Sequence, residues 1–306
     1  MSQAEAPTSN PTPGAGRTTP VAQGPWELAA RRFLRHRLAM ACAVIFLTIA
    51  AACVLGPFLS PHDPNEGVLA LAGQPPSKSH WMGTDSNGRD VLTRVLVGGR
   101  LSLAIGVVAT LVAVVIGTLF GAVAGYLGGR VDAFMMRMVD VLYAFPLIIF
   151  VILLTMMFGD LSPTQQLILL FTAIGAVEWP TTARIVRGQV LGLKNQEYVL
   201  AARALGVHGR TLLFRHILPN VIGPVIVYAT LTAPAVMLFE AVLSFLGLGV
   251  QPPQSSWGVL INDGANSMEG YPWLLFGPVL FFSLTLFSLN AIGDGLRDAL
   301  DPRGKR

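Results

Sequence analysis

Six stretches of this sequence are apolar over twenty residues or more: Leu38–Leu59, Leu101–Tyr126, Val139–Phe158, Gln166–Val186, Val221–Gly247 and Trp273–Ile292. At about 1.5 Å per residue, each is long enough to cross about 30 Å of hydrocarbon as a helix. Inside a bilayer every backbone group must be bonded internally, so the expectation is an all-α integral membrane protein with six transmembrane helices. Pro146, Pro180, Pro224 and Pro234 lie within these stretches, where neighbouring helices can satisfy the freed carbonyls. Composition agrees: 53% of residues are hydrophobic and 12% charged, against about 25% charged in soluble domains.

Lysine and arginine set the orientation. With the N-terminus inside, seventeen of the 21 basic residues fall on the cytoplasmic side: Arg17, Arg31, Arg32, Arg35, Arg37, Arg130, Arg137, Arg184, Arg187, Lys194, Arg203, Arg210, Arg215, Arg297, Arg303, Lys305 and Arg306. Only Lys78, Arg89, Arg94 and Arg100 fall outside. This positive-inside bias predicts cytoplasmic N- and C-termini. Residues 1–26 are rich in Pro, Gly, Ser, Thr and Ala and read as a disordered cytoplasmic tail. No apolar core of a cleaved signal peptide is expected there, so the first span would serve as an uncleaved anchor. Cys42 and Cys53 share that span and suggest no disulfide. Gly117, Gly121 and Gly125 form one stripe of the second span and predict close helix packing.

The connection at 188–220 is far longer than the two to eight residues usual between bundle helices. Asn195 can cap a short helix over Gln196–Leu205, Glu197 suits its positive end, and Gly206 can end it in a left-handed turn. On a helical wheel Tyr198, Ala201, Ala202 and Leu205 share one face, and Leu200 points nearly opposite. Two apolar sides fit either a wedge between the membrane domain and a second protein or a helix resting on lipid headgroups. On the other side, Ser60–Gly99 is also over-long, with turns at Gly83-Thr84-Asp85 and Asn87-Gly88 and a short helix from Asp90 into the second span. It reads either as a docking surface or as a self-packed plug. The second outer loop, Val250–Pro272, carries Asp263 and Glu269 and no basic residue.

Glu178 and Glu240 fall within spans. Each is a translocation-pathway candidate or an interhelical hydrogen-bonding group. His62 and His80 lack the close spacing of a metal motif, His208 and His216 read as structural, and no metal site is expected. G-x4-G-K-[ST], HExxH and GxSxG are all absent, so no catalytic site is expected.

The segment Ala201-Ala202-x3-Gly206, leading into Leu218-Pro219, resembles the EAA loop of ATP-binding cassette importer permeases. Leu200 stands where that pattern has Glu, and His216 where it has Ile. Glu197, one turn earlier, is the carboxylate available in place of the first. Gly83-Thr84-Asp85-x-x-Gly88-Arg89-Asp90, Gly99-Arg100-Leu101-Ser102-Leu103, Phe145-Pro146, Trp179-Pro180, Arg215-His216-Ile217-Leu218-Pro219-Asn220, Leu243-Ser244-Phe245-Leu246-Gly247-Leu248-Gly249 and Ser256-Trp257-Gly258 extend the match over residues 27–300. As a set they resemble the dipeptide/oligopeptide/nickel permease group, in its C-type subunit.

That resemblance implies a type I importer permease (MetI-like) fold with a cytoplasmic coupling helix, in the bacterial inner membrane. It divides the chain into the tail 1–26, an N-terminal region 27–100 with the first span and outer loop, and a core permease domain 101–306 with five spans. The implied partners are a homologous B-type permease, two cytosolic ATPase subunits, an extracytoplasmic substrate-binding protein and membrane lipids, with no nucleic acid. The chain itself would bind no cofactor, ATP and Mg being used by the ATPases. Glu197, Tyr198, Ala201, Ala202, Arg203, Leu205 and Gly206 would couple to the ATPases, and Asp85, Arg89 and Asp90 would face the binding protein. Peptides are the expected cargo, with nickel, haem or another small solute as alternatives. A stand-alone secondary carrier or an assembly factor would account for the spans but not for this motif set.

Overall fold

The computed structural model describes residues 24–144, 146–157 and 162–300. Most of the expected tail, Phe145, the third span's end at Phe158, and Arg17, Arg303, Lys305 and Arg306 lie outside these residues. In chain order the helices are α1 (Pro25–Arg35), α2 (Arg37–Leu59), α3 (Val91–Leu127), α4 (Gly129–Ala144), α5 (Leu147–Met157), α6 (Pro163–Leu193) and α7 (Glu197–Ala204). Then follow α8 (Gly209–Phe245), α9 (Trp257–Asn266) and α10 (Trp273–Leu300). Among the described residues no strand forms, only an isolated bridge between Thr84 and Asp90.

Among the described residues four helices, α2, α3, α8 and α10, are long and apolar enough to cross a membrane. The α4–α5 pair makes a fifth candidate, bent by 81°. Six were expected; the remaining stretch, Gln166–Val186, lies within α6, where Glu178, Arg184 and Arg187 dilute its apolar character.

The second span starts earlier than its apolar run. Instead of a separate short helix before Leu101, one 37-residue helix begins at Val91. Asp90 caps it, accepting the Thr93 backbone N–H at 2.8 Å. Nothing between Asp90 and Leu101 breaks the helix, so α3 runs about 55 Å.

Three buried clusters are strung along α3. At its start Val91, Val95 and Leu96 pack with Ile49, Cys53, Trp257 and Leu274. Midway, Ile105 and Ala109 meet Val151, Ile174, Val236 and Leu243. Near its end Ala122 joins Val186, Val190, Leu212 and Ile217.

The glycine stripe brings α3 against α6. A Cβ on Gly117 would stand 2.6 Å from the Trp179 carbonyl oxygen, and one on Gly125 2.9 Å from that of Arg187. Gly121 lies directly on the Ala183 carbonyl. Bare glycine surfaces let backbones approach this closely, as the sequence predicts. Two charge pairs flank the seam: Arg187 Nη2 donates to Asp132 at 2.7 Å and Arg184 Nη2 to Asp140 at 2.7 Å.

Two family motifs meet at the other end of α3. Trp257 is fully buried; its backbone N–H donates to Ser102 Oγ and its indole N–H to the Val95 carbonyl, both at 2.9 Å. Gly99 makes room for the ring, since a Cβ there would come within 2.6 Å of it. Arg100 secures α2: Pro57 has no N–H for the Cys53 carbonyl, and Arg100 Nε donates to that oxygen at 2.7 Å.

Candidate functional site

The segment between α6 and α8 is built from both ends inward. α6 continues to Leu193, and Lys194 at its end donates to the Gly125 carbonyl at 2.9 Å, fixing the exit point to α3. Asn195 was expected to cap the next helix, but its side chain turns back toward the Leu191 carbonyl at 3.5 Å. Gln196 takes the cap position, without a side-chain hydrogen bond, and α7 begins at Glu197.

The C-terminal end of α7 closes as the sequence predicts. Gly206 has φ +79°, a conformation that costs a side chain about 1–2 kcal/mol. Its N–H donates to the Arg203 carbonyl at 3.0 Å, and the Val207 N–H to the Ala202 carbonyl at 3.1 Å. This paired pattern is a Schellman ending, with Ala202 and Val207 both turned toward the same apolar cluster. The Ala-x3-Gly spacing thus has a physical basis: a small inward residue and a left-handed glycine four positions on.

Val199 is the anchor. It is fully buried against Val186, Val190, Leu212, Leu213, Ile217 and Val221. The wheel missed it, because Tyr198 and Leu200 on either side draw attention to the faces that stay outside. Tyr198 is 43% exposed, Leu200 47% and Leu205 85%. Glu197, Ala201, Arg203 and Gly206 are exposed too, and Ala202 is half-buried. Of the seven residues expected to couple, six therefore share an uncovered surface. Below α7, Leu212–Ile217 forms a π-helical turn leading to Pro219, and His216 is half-buried in it, its carbonyl accepting from Asn220 Nδ2 at 2.6 Å.

The two carboxylates expected within spans part company. Glu178 is half-buried and lines a cavity of about 340 Å³ together with Tyr143, Phe150 and Thr181. Glu240 has no exposure at all. Its Oε1 accepts from Ser244 at 2.7 Å and from Ser256 at 2.6 Å, joining α8 to the start of α9. Both serines and the close approach of Gly258 surround it.

Asp85 and Asp90, expected to face a binding protein, are buried. Asp85 Oδ2 accepts from Arg89 Nε at 2.8 Å and Arg94 Nη1 at 2.7 Å. Its Oδ1 accepts the backbone N–H groups of Asn87 and Arg89, both at 2.9 Å. Asp90 is held by Thr93 and His80, and Arg89 is half-buried. The loop is folded on itself, and the indole of Trp273 donates to the Thr84 carbonyl at 3.3 Å.

Comparison with known proteins points the same way as these elements. Residues 117–306 match the family model "binding-protein-dependent transport system inner membrane component", and residues 24–76 match that of the N-terminal transmembrane domain of oligopeptide transport permease C. The chain is 51% identical to the oligopeptide transport system permease protein OppC of Escherichia coli K12 over 282 residues, 92% of each chain. It is 48% identical to OppC of Haemophilus influenzae, covering 92% of this chain and 89% of that one. Against the dipeptide transport system permease protein DppC of Bacillus subtilis the identity is 48%, over 91% and 86%. With both family models matched and its relatives covered nearly end to end, this multi-pass helical chain belongs to the family of binding-protein-dependent transport system inner membrane components, and is itself no enzyme.

Proposed function

We propose that the chain is the C-type permease of an ATP-driven peptide importer and that α7 is the element through which the ATPase subunits move it. The observation that carries this is the division of α7 into one buried anchor, Val199, and an exposed apolar surface of Tyr198, Leu200 and Leu205. An eight-residue helix with so little burial is not stable by itself. Its rigidity comes from Val199 and the Gly206 ending, and the rest is free to fill a groove in another protein. Glu197 and Arg203 rim that surface with opposite charges, Glu197 serving in place of a carboxylate at Leu200.

In this reading α7 and both termini are cytoplasmic, α6 and the bent α4–α5 pair complete six spans, and the 60–90 loop lies outside. A homologous permease forms the other half of the passage, and an extracytoplasmic binding protein delivers the peptide. ATP-driven closure of the ATPases displaces α7, and Val199 and Lys194 transmit the displacement to α8, α6 and α3. The half-buried Glu178 faces the passage, where its carboxylate can meet a peptide amino group. The region 27–100 supplies α2, the outer loop and the first turns of α3, and 101–306 the rest of the permease.

The test is uptake of a radiolabelled oligopeptide by cells expressing Gly206→Val or Ala201→Glu. Both variants are expected to insert normally and to lose uptake. Normal uptake by both would contradict the coupling role. Transport by the chain reconstituted alone, without any ATPase, would contradict the subunit reading altogether.

A further inference from the structure

We infer that His62, His80 and Asp90 form a site for one divalent transition-metal ion of the zinc class, which ties the end of α2 to the start of α3. The histidines come from separate turns of the 60–90 loop, and folding brings their ring centroids to 4.7 Å. One ligand atom from each of the three residues lies within 4.8 Å of the others.

The hydrogen bond on the His62 ring is of the kind that prepares an imidazole for metal. His62 Nε2 is 3.1 Å from the Ser79 carbonyl oxygen. A carbonyl only accepts, so the proton is on Nε2 and the Nδ1 lone pair is left free. A metal-ligating histidine almost always has its far N–H held in this way, by a carbonyl or a carboxylate. His80 Nδ1 and Asp90 Oδ1 are 3.0 Å apart. Two donors each about 2.1 Å from one tetrahedral ion stand about 3.4 Å apart, so little movement is needed to share one. The other oxygen of Asp90 accepts from Thr93 N–H at 2.8 Å and Thr93 Oγ1 at 2.7 Å, which sets the carboxylate before any ion arrives.

Two imidazoles and one carboxylate suit zinc and its neighbours, whereas calcium and magnesium ask for six or more oxygens. Access is open: His62 and Asp90 line a cavity of about 660 Å³ with Ser79 and Trp81, leaving room for water at a fourth position. For Nδ1 of His80 to bind the ion its proton sits on Nε2, the tautomer that leaves the Nδ1 lone pair for the metal. Because His62 follows α2 by three residues and Asp90 caps α3, the ion clamps the first span to the second at the loop. This site rests on loop geometry and is independent of the role proposed for α7.

The test is titration of the metal-stripped, tag-free full chain in detergent with Zn²⁺ and, separately, Co²⁺. One ion per chain and the visible bands of tetrahedral Co²⁺ are expected. His80 and Asp90 are buried, so their variants carry a folding risk, and the half-buried His62 is the residue to change. His62→Ala is expected to weaken Zn²⁺ binding by about 100-fold or more and to abolish any rise in melting temperature with Zn²⁺. Absence of saturable one-to-one binding in the wild type would overturn the inference. So would equal binding by His62→Ala, which would assign the ion to His36, His208 or His216.

Discussion

The 60–90 loop and the 194–211 segment are both too long to be simple connections, and they use that length in opposite ways. The loop turns Asp85 and Asp90 inward: Asp85 satisfies two arginines and two backbone N–H groups, and Asp90 holds Thr93 and His80. The 194–211 segment leaves its apolar groups outward and is tied down by Val199, Val207 and Lys194. A charged connection can therefore be self-contained, and an apolar one can be the surface that awaits a partner. Charge on a loop is a poor guide to docking; uncovered apolar area on a rigid support is a better one.

The contrast makes unequal predictions. Asp85→Ala strands the buried Arg94 guanidinium, and losing one partner of such a pair costs about 3–5 kcal/mol. The purified chain should melt at a clearly lower temperature, and an unchanged melting point would break the claim that the loop is a packed unit. Gly121→Ala forces a methyl onto the Ala183 carbonyl of α6, with an expected loss of about 1–3 kcal/mol. Val199→Ala removes two carbons from a sealed site, for about 1.5 kcal/mol. Because Val199 is the anchor, ATP-dependent uptake should fall with it. Tyr198→Ala and Leu205→Ser change stability by no more than about 0.5 kcal/mol, yet should reduce uptake at least tenfold. Leu200→Glu, which restores a carboxylate to the family pattern, is expected to have the smallest effect of all, with stability unchanged within about 0.5 kcal/mol and uptake within twofold of wild type.

Much of this was legible in the residues. Apolar runs located α2, the end of α8 and the start of α10 to within two residues, because length and hydropathy act directly on a membrane helix, whereas α8 starts twelve residues before its run and α10 ends eight residues after. The glycine stripe announced a close helix contact, though not that α6 makes it, and Gly206 the end of α7, because each answers a local steric demand. The start of α3 was hidden: Arg94 and Arg100 interrupt the apolar run without interrupting the helix, one paired with Asp85 and the other bonded to α2. Tertiary contacts decided the rest. Val199 is one apolar residue among several in its helix, and only the cluster beneath it shows which side faces in. Glu240 looked like Glu178 in the sequence, and the serines that enclose it come from separate turns. His62 and His80 show no motif spacing, since the loop that pairs them folds through backbone bonds such as Gly73 N–H to the Asp85 carbonyl at 2.9 Å.

The central claim is that the outer surface of α7 is covered by a partner only in the assembled transporter. Cys42 and Cys53 are buried, so a single Ala201→Cys substitution offers one reactive thiol to a water-soluble maleimide. The account predicts rapid labelling of the purified chain and at least tenfold slower labelling once the ATPase subunits are bound. Equal labelling rates in the two states would contradict it.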